Sequence, residues 1–355
     1  MTQRPQHIMN RLSDKYKILF IEEPGDDIGN SLFTYQKVNA NLSVLTPHME
    51  WTDWKTMCKS YINILQNDVK HLDQSVFWFY SPFYVHVLNS LTPSVIVYDC
   101  MDELSAFKNA SPNLPAYERQ LMQHADVVFT GGKSLYEGKK SLHDKVYCFP
   151  SSVDYDHFKK SNKTIPPELA HLSGTIVGFY GVLDERLDFN LLGHVANELQ
   201  DINFILVGPL AKIQEEDLCK SHNIHYLGKR DYNALPDYLE CFDVAIMPFA
   251  INEATRFISP TKTLEFMAAG KPIVSTPIHD VVRDYSDVIA IAESPQTFAA
   301  HINRFLRESA EAKKQRQYRY NHILAKTSWS TTVNSMDTII IDEKQRLQQG
   351  MKKQA

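Results

Sequence analysis

Two charged residues, Lys262 and Glu265, stand three positions apart in the segment SPTKTLEFMAAGKPIVST, residues 259–276. On a helix this spacing puts both side chains on one face. A lysine can neutralise a phosphate there, and a carboxylate can accept hydrogen bonds from a pair of sugar hydroxyls. The pair therefore fits the phosphates and the ribose of a nucleoside diphosphate. The alternative is a surface pair that stabilises the helix by about 0.2–0.5 kcal/mol.

The element that must position this pair is a short helix with recognisable ends. Ser259 is a favourable N-cap, and Pro260 fits the first helical position because its missing N–H would be unpaired anyway. Gly270 fits the C-terminal cap. The segment follows an apolar strand pattern at 243–249, so we expect the helix N-terminus to point into a cleft, where its free N–H groups favour a phosphate.

Short runs rich in Val, Ile and Phe alternate with helical patterns along the chain, which predicts parallel strands covered by helices. The first series of predicted strands lies at 17–22, 75–80, 94–99, 126–131 and 145–150, with helices at 54–66 and 116–124. The second series lies at 175–181, 203–209, 224–228, 243–249, 271–276 and 288–293. A polar, proline-bearing stretch at 154–174 separates the two series as a linker would. The pattern predicts an α/β protein with two doubly wound, Rossmann-like domains facing a cleft.

Composition and charge exclude several classes of protein. The 355 residues favour two domains, and 43% hydrophobic with 22% charged residues is typical of a folded globular chain. A net charge of −5 gives no basic field for nucleic acid. Five widely spaced cysteines without a CxxC pair predict neither a disulfide framework nor a zinc site.

No apolar run reaches the length of a signal peptide or of a membrane span, so we expect a cytoplasmic protein. Basic residues cluster at Lys313, Lys314, Arg316 and Arg319, and again at Lys352 and Lys353. Such clusters are typical of solvated helix faces. Peripheral contact with the anionic inner face of a membrane is the alternative.

The segment that carries Lys262 and Glu265 closely resembles the nucleotide-sugar signature of family 4 glycosyltransferases, which have the GT-B fold. Three further segments agree with this resemblance: GFYGVLDERLDFNLL (178–192), YLGKRDYNALPDYLECFDVAIMPF (226–249) and FPSSVDYDHF (149–158). RPQHIMNRL (4–12) and VYDCMDELSAF (97–107) are similar to the polysaccharide-biosynthesis branch, which includes teichuronic-acid transferases. The resemblance covers nearly the whole chain.

This resemblance implies three parts: an acceptor-side domain at 1–155, a nucleotide-sugar-binding domain at 156–325, and a C-terminal helix at 326–355 that returns to the first domain. In the family, RPQH follows a first strand, so we expect that strand to be absent or replaced by another segment. In the returning helix, Val333, Met336, Ile339 and Ile340 recur at helical spacing. Packing of this helix only on its own domain or on a partner subunit is the alternative.

The resemblance also implies roles for the donor-site residues. Glu265 binds the ribose, and Lys262 lies by the diphosphate, with Gly181, Ser259, Pro260 and Thr261 around it. Arg186 matches a family lysine that holds the leaving diphosphate, whose new negative charge needs a fixed cation. The alternative for Arg186 is a solvated loop arginine beside Asp184 and Glu185.

Three positions depart from the family pattern. Val182 occupies the position of a frequent arginine, and Phe257 that of the first glutamate, eight residues before Glu265. The hydroxyls of the donor sugar would then be held by backbone groups or by Glu253. Met101 occupies the position of a histidine near the reacting sugar.

The replacement of that histidine leaves Asp99, Asp102 and Glu103 as polar candidates beside the reacting sugar. We predict Asp102 as the base or hydroxyl anchor, with a helix-capping role as the alternative.

Two other motifs do not support a cofactor. The DxD-like Asp154-Tyr155-Asp156 lies in the linker, so no metal site is predicted, and Gly131-Gly132 lacks the spacing of a dinucleotide-binding loop. The nucleotide sugar is expected as donor substrate, without a resident cofactor.

The resemblance thus implies a retaining glycosyltransferase of the hexosyltransferase type. It would move a sugar from a nucleoside diphosphate donor, with UDP favoured, to a cell-surface polysaccharide or lipid-linked glycan. A nucleotide-sugar epimerase or hydrolase of the same fold, and a catalytically weakened nucleotide-sugar-binding scaffold subunit, are the alternatives.

Overall fold

The structure, a computed structural model, describes residues 3–24, 33–48, 54–159 and 164–354. The N-terminal half comprises α1 (Arg4–Leu12), β1 (Ile18–Ile21), β2 (Phe33–Lys37), β3 (Leu42–Pro47), α2 (Trp54–Asp68), β4 (Val76–Phe79), β5 (Val95–Cys100), α3 (Leu114–His124), β6 (Val127–Thr130), α4 (Lys133–Lys139) and β7 (Val146–Cys148). The short helix α5 (Tyr155–Phe158) comes next and packs in the core of the C-terminal half. Short 3₁₀ turns lie between some of these elements.

The C-terminal half repeats the alternation of strand and helix. It comprises β8 (Ile176–Tyr180), α6 (Phe189–Glu198), β9 (Asn203–Val207), β10 (Ile224–Tyr226), α7 (Leu235–Cys241), β11 (Val244–Met247), α8 (Lys262–Ala268), β12 (Ile273–Ser275), α9 (His279–Tyr285), β13 (Ala290–Ile291), α10 (Pro295–Leu306), α11 (Ala310–Leu324) and α12 (Trp329–Gln354).

The strands form three sheets in the described residues. The six-stranded sheet of the C-terminal half has the order β10-β9-β8-β11-β12-β13, and all its pairs are parallel. The N-terminal half has a parallel sheet β4-β5-β6-β7 and a smaller sheet β1-β3-β2. The predicted α/β class is confirmed, and each of the eleven predicted strand segments contains a strand.

The hairpin formed by β2 and β3 was not predicted. These strands pair antiparallel, with Tyr35 opposite Leu45, and β1 pairs parallel with β3. After its first residue, β2 is exposed throughout, so it carries no apolar run that marks a buried strand. By contrast, every residue of β6, β8 and β11 is buried, which is why their apolar runs were recognisable.

The long helix α12 packs on the N-terminal half. Trp329, Val333, Met336 and Ile340 are buried in one cluster that also contains Ile8, Met9 and Leu12 of α1, Val95 and Val97 of β5, and Val127 and Phe129 of β6. Polar contacts lie beside these buried side chains of α12. Asp337 accepts hydrogen bonds from Lys15 Nζ (2.8 Å) and Tyr16 Oη (2.7 Å). The exact domain boundaries given above stay a prediction.

The chain therefore passes twice between its halves, and the two crossing segments touch each other. The hydroxyl groups of Ser152 and Thr332 are 2.7 Å apart. Arg11 reaches Asp154 at 3.8 Å. Nearby, the ring of His7 stacks on Trp329 with centroids 4.8 Å apart. Burial lowers the pKa of His7 to about 4, so its imidazole is neutral at pH 7 and packs as an aromatic ring.

We expect Met336→Ala to destabilise the N-terminal half by about 2–4 kcal/mol, because it removes a fully buried side chain from the cluster with α1, β5 and β6. Hydrogen exchange measures this effect, and amides of β5 and β6 should exchange faster. The matched control is Ile341→Ala, at a position on the same helix that is 41% exposed. Faster exchange confined to 176–324 would contradict the packing of α12.

Candidate active site

A buried ion pair fixes the carboxyl edge of the sheet β4-β5-β6-β7. Asp99, at the end of β5, is fully buried, and Arg4 is 6% exposed. Arg4 Nε lies 3.1 Å from both carboxylate oxygens, and its Nη2 lies 2.9 Å from Oδ1. Arg4 Nη1 also donates to the carbonyl of Phe149 at 2.7 Å. Burial lowers the pKa of Arg4, but the Asp99 carboxylate outweighs it and raises that pKa. Asp99 is thus occupied as the partner of Arg4.

Glu103, the second polar candidate of this loop, is also occupied. The buried Lys139 lies 2.6 Å from Glu103 Oε2 and 2.7 Å from Glu118 Oε2. Burial alone lowers the pKa of Lys139, but Cys100 and the two carboxylates raise it above its ordinary value. The ammonium group of Lys139 therefore holds the loop that follows β5, through its ion pair with Glu103.

Asp102 is the remaining candidate, and the structure places it near the cations of the other half. It lies in the bend after β5, half-buried, and in the described parts of the chain its carboxylate accepts no hydrogen bond. Burial raises the pKa of Asp102, while the charges of Arg186, Arg4 and Lys212 oppose that rise. A raised pKa makes a carboxylate a stronger base, which suits a group that accepts a proton.

Across the cleft, the turn Asp184-Glu185-Arg186 holds its arginine firmly. The Nε atom of Arg186 lies 3.0 Å from both oxygens of Asp184, and Nη2 lies 2.6 Å from Oδ2. Burial lowers the pKa of Arg186, but Asp184 and the more distant Asp102 raise it overall. Arg186 is therefore held by a buried carboxylate, and the alternative of a solvated loop arginine does not describe it.

Lys262 runs along the backbone of Gly181. This glycine has φ +155°, and a Cβ there would stand 2.7 Å from Lys262 Cε. Gly208 lies against the same turn, since a Cβ on it would be 1.7 Å from the carbonyl oxygen of Gly181. Burial lowers the pKa of Lys262, Glu265 opposes the change, and Arg186 adds to it. The two glycines thus admit a lysine side chain beside the end of β8.

The helix that carries Lys262 begins later than predicted. It starts at Lys262 with Thr261 as N-cap, so the assignment of Ser259 as N-cap and Pro260 as first helical residue was wrong. The reason is a tight turn, in which Thr263 N–H bonds to the Pro260 carbonyl at 3.2 Å and Leu264 N–H to that of Thr261 at 3.1 Å. Ser259 instead uses its carbonyl to accept a hydrogen bond from Ser151 Oγ at 3.0 Å. Gly270, at φ +69°, follows the last turn as predicted.

Glu265 is 9% exposed, and one of its two oxygens has a protein partner. Tyr180 Oη donates to Oε2 at 2.7 Å. Burial raises the pKa of Glu265, while Lys262 and the Tyr180 hydrogen bond oppose the rise. In the described residues, Oε1 accepts no hydrogen bond, so it remains available for a ligand hydroxyl.

A cavity of about 600 Å³ lies along the segment after β10, lined by Lys229, Arg230, Asp231, Tyr232, Asn233, Ala234 and Asp237. Burial raises the pKa of Tyr232, and so does the charge of Glu265. The ring of Tyr232 contacts Phe158, which stacks on Tyr180, the residue that donates to Glu265. Within the described chain, the buried Tyr232 hydroxyl has no hydrogen-bond partner. The cavity has the size of a small-ligand pocket.

The residues that depart from the family pattern have other surroundings. Phe257 packs against the hydrophobic cluster of the N-terminal half. Glu253 is 76% exposed and lies 3.5 Å from Arg256, so its carboxylate faces solvent. The structure therefore does not place Glu253 with Lys262 and Glu265, and backbone groups remain for the hydroxyls of a donor sugar.

Three residues that contribute to the cleft were missed by sequence reasoning. Asp280 of α9 is 2% exposed and accepts hydrogen bonds from Ser134 N–H (3.2 Å) and Arg283 Nη2 (2.6 Å). Phe107 and Lys212 meet across the cleft, with the ammonium 4.3 Å from the ring centroid. The only signal in the sequence was that each follows a strand, which is where loops carry ligand sites.

In the part of the chain that is described, no group of three or more His, Cys, Asp and Glu side chains is placed to hold a metal ion. Over the same residues, no helix combines the length and the apolar character needed to cross a membrane. In the DxD-like motif, Asp154 lies 3.8 Å from Arg11, in the first crossing segment.

Comparisons with known proteins agree with the sequence resemblance. Residues 174–308 match the sequence family described as glycosyl transferases group 1. The chain is 29% identical over 217 residues to TuaH of Bacillus subtilis (strain 168), named as a teichuronic acid biosynthesis glycosyltransferase. That match covers 56% of this chain and 54% of TuaH, so the chain spans about half the length of the curated relative that it matches.

Solved structures share the fold at low identity. Sucrose-phosphate synthase from Thermosynechococcus elongatus superposes with a TM-score of 0.73 at 12% identity, covering 94% of this chain and 91% of that one. A trehalose-6-phosphate structure from E. coli bound with UDP-2-fluoro glucose gives 0.67 at 12% identity, covering 97% and 96%. The resemblance to group 1 glycosyltransferases and the GT-B fold are thereby confirmed.

We expect Gly181→Ala to weaken binding of a nucleoside diphosphate at least tenfold, because its Cβ displaces Lys262 Cε and strains a backbone with positive φ. Titration calorimetry with UDP measures the change. The control is Gly193→Ala in α6, where the new Cβ makes an ordinary 3.4 Å contact and the substitution favours the helix. If both variants bound UDP with equal affinity, Lys262 would not belong to the phosphate site.

Proposed function

We propose that this chain, whose fold is GT-B and whose residues 174–308 match group 1 glycosyltransferases, transfers a sugar from a nucleoside diphosphate donor. One observation carries the proposal. Lys262 shares the first turns of α8 with Glu265 and lies against Gly181 at the end of β8, and its charge interacts with those of Glu265 and Arg186. Two cations beside an acceptor carboxylate match the diphosphate and the ribose of such a donor.

Different residues of the candidate site would bind the ribose, the base and the diphosphate of the donor. Glu265 keeps Oε1 for the ribose hydroxyls, and Tyr180 holds the other oxygen in place. We assign the cavity along 229–237, which has a volume of about 600 Å³, to the base. Burial lowers the pKa of the Lys262 ammonium group, so the negative charge of a bound diphosphate would offset the hydration that burial removes.

The reaction breaks the bond between the anomeric carbon of the sugar and the β-phosphate oxygen, and that oxygen leaves with the bonding electrons. The acceptor hydroxyl oxygen forms the new bond to the anomeric carbon and loses its proton. Arg186 and Lys262 stabilise the negative charge that develops on the leaving diphosphate. Asp102, with its raised pKa, is the protein group that we assign to the acceptor proton or to holding the acceptor hydroxyl.

The finer assignments rest on similarity. The name of TuaH supports a cell-surface polysaccharide or lipid-linked glycan as acceptor, and the UDP-2-fluoro glucose in the E. coli structure supports a UDP-hexose donor. Retention of anomeric configuration follows from the resemblance to family 4. Peripheral contact with a membrane, where a lipid-linked acceptor is found, belongs to the same proposal.

A scaffold that binds nucleotide sugars without transferring them is the second candidate. It is favoured by Phe257, whose ring packs on the N-terminal cluster at the position where the family has a sugar-binding glutamate. It is also favoured by Met101 at the position of the family histidine. A scaffold binds the donor but releases no nucleoside diphosphate from it.

Release of nucleoside diphosphate from a panel of nucleotide sugars tests the transferase function. We expect slow release from one donor, and unchanged release when a chelator is added, since Lys262 and Arg186 supply the positive charge. Release that depends on added manganese or magnesium would contradict the cation assignment. Binding with no release from any donor would favour the scaffold.

Glu265→Ala tests the ribose contact. We expect it to weaken UDP binding by roughly 1.5–3 kcal/mol, the scale of hydrogen bonds to a charged group, while the protein stays folded. The matched control is Glu253→Ala, which removes an exposed carboxylate and should leave UDP affinity unchanged. Calorimetric titration measures both variants, and wild-type affinity in Glu265→Ala would refute the assignment.

A further inference from the structure

An aromatic ring from the N-terminal half faces two cations of the C-terminal half. Phe107, in the loop after β5, is half-buried. Its ring centroid lies 5.4 Å from Arg186 Cζ and 4.3 Å from Lys212 Nζ. Both distances are within the range of attraction between a cation and the face of a ring.

The backbone beside this ring is bound to the same turn. Lys108 N–H donates to Glu185 Oε1 at 3.3 Å, and Lys212 Nζ lies 3.7 Å from that oxygen. Glu185 therefore joins the loop of the N-terminal half to Lys212 and to the turn that carries Arg186. The ring is placed by this anchor and by its own contacts with the cations.

One nitrogen of the Arg186 guanidinium, Nη1, remains available for a ligand. Arg186 Nε and Nη2 donate hydrogen bonds to Asp184, and the ring of Phe107 faces the guanidinium. In the described residues, Nη1 makes no hydrogen bond. A diphosphate needs N–H groups at the edge of the guanidinium, and a ring that faces the guanidinium leaves such an edge available.

We propose that Phe107 is a positioning residue for the donor diphosphate. From the opposite side of the cleft it orients Arg186 and Lys212 through the face of its ring, so that nucleotide affinity depends on a residue outside the nucleotide-binding half. This inference rests on the proposed function, because it assigns the diphosphate to Arg186. It adds a residue that the resemblance to family 4 does not name.

The attraction depends on the aromatic face, whereas packing depends on volume, so two substitutions separate them. Phe107→Leu keeps an apolar side chain but removes the ring, and we expect about fivefold weaker UDP binding. Phe107→Tyr keeps the ring, and we expect UDP affinity within twofold of the wild type. Calorimetric titration with UDP measures both variants, and Phe77→Leu on β4 is the control for the same change elsewhere in the N-terminal half.

Kinetics supply a second measure. Because Arg186 acts on charge that develops as the bond breaks, we expect Phe107→Leu to lower kcat for release of nucleoside diphosphate as well as to raise KM. Phe107→Tyr should recover both. If the Phe107 side chain only filled space, kcat and KM would not differ in this way between Phe107→Tyr and Phe107→Leu.

The possible outcomes are distinct. Wild-type UDP affinity in Phe107→Leu, or equal losses in Phe107→Leu and Phe107→Tyr, overturns the inference and leaves the proposed function standing. If the wild type binds none of UDP, GDP, ADP and dTDP, the proposed function fails and this inference fails with it. If Phe107→Leu does not fold, Phe107→Met replaces it, with the same expected loss.

Discussion

The ion pair between Arg4 and Asp99 is the interaction on which the reactive edge of the N-terminal half depends. Both side chains are buried, and breaking such a pair typically costs about 3–5 kcal/mol because one charge is left without a partner. The pair joins α1 to the end of β5, and Arg4 also holds the carbonyl of Phe149 after β7. The loop that carries Asp102 and Phe107 starts after Cys100, one residue beyond Asp99, so its position depends on this anchor.

Several charges lie close together around the cleft, and each of these cations has a carboxylate as neighbour. Arg186 has Asp184, Lys139 has Glu103 and Glu118, and Lys262 lies one turn from Glu265. Such pairing lowers the cost of burying charge before any ligand arrives. Among these pairs, the contact between Lys262 and Glu265 is electrostatic without a direct hydrogen bond in the described residues. This is the pair that a nucleotide can enter.

The strands of the two parallel sheets were predictable because burial on both faces leaves continuous apolar runs, as in β6 and β11. The exposed β2 leaves no such pattern, and the start of α8 shifted because a turn at Pro260 competes with the helix. At the candidate site, the spacing predicted that Lys262 and Glu265 share one helix, and α8 carries both, while their roles stay a prediction. The occupation of Asp99 by Arg4 and the contact of Phe107 with Lys212 were not, since they join residues 95 or more positions apart in the chain.

The hydrogen bond between Ser152 and Thr332 has a mechanical consequence. The two chain crossings are fastened to each other, so they act as one hinge and not as two independent tethers. A rotation of one half relative to the other would therefore bend both crossings close to these hydroxyls. Because that rotation must change backbone dihedral angles in both crossings together, its energy cost is set by residues that never touch the substrate. The crossings thus couple a movement between the halves to residues that lie outside the candidate site.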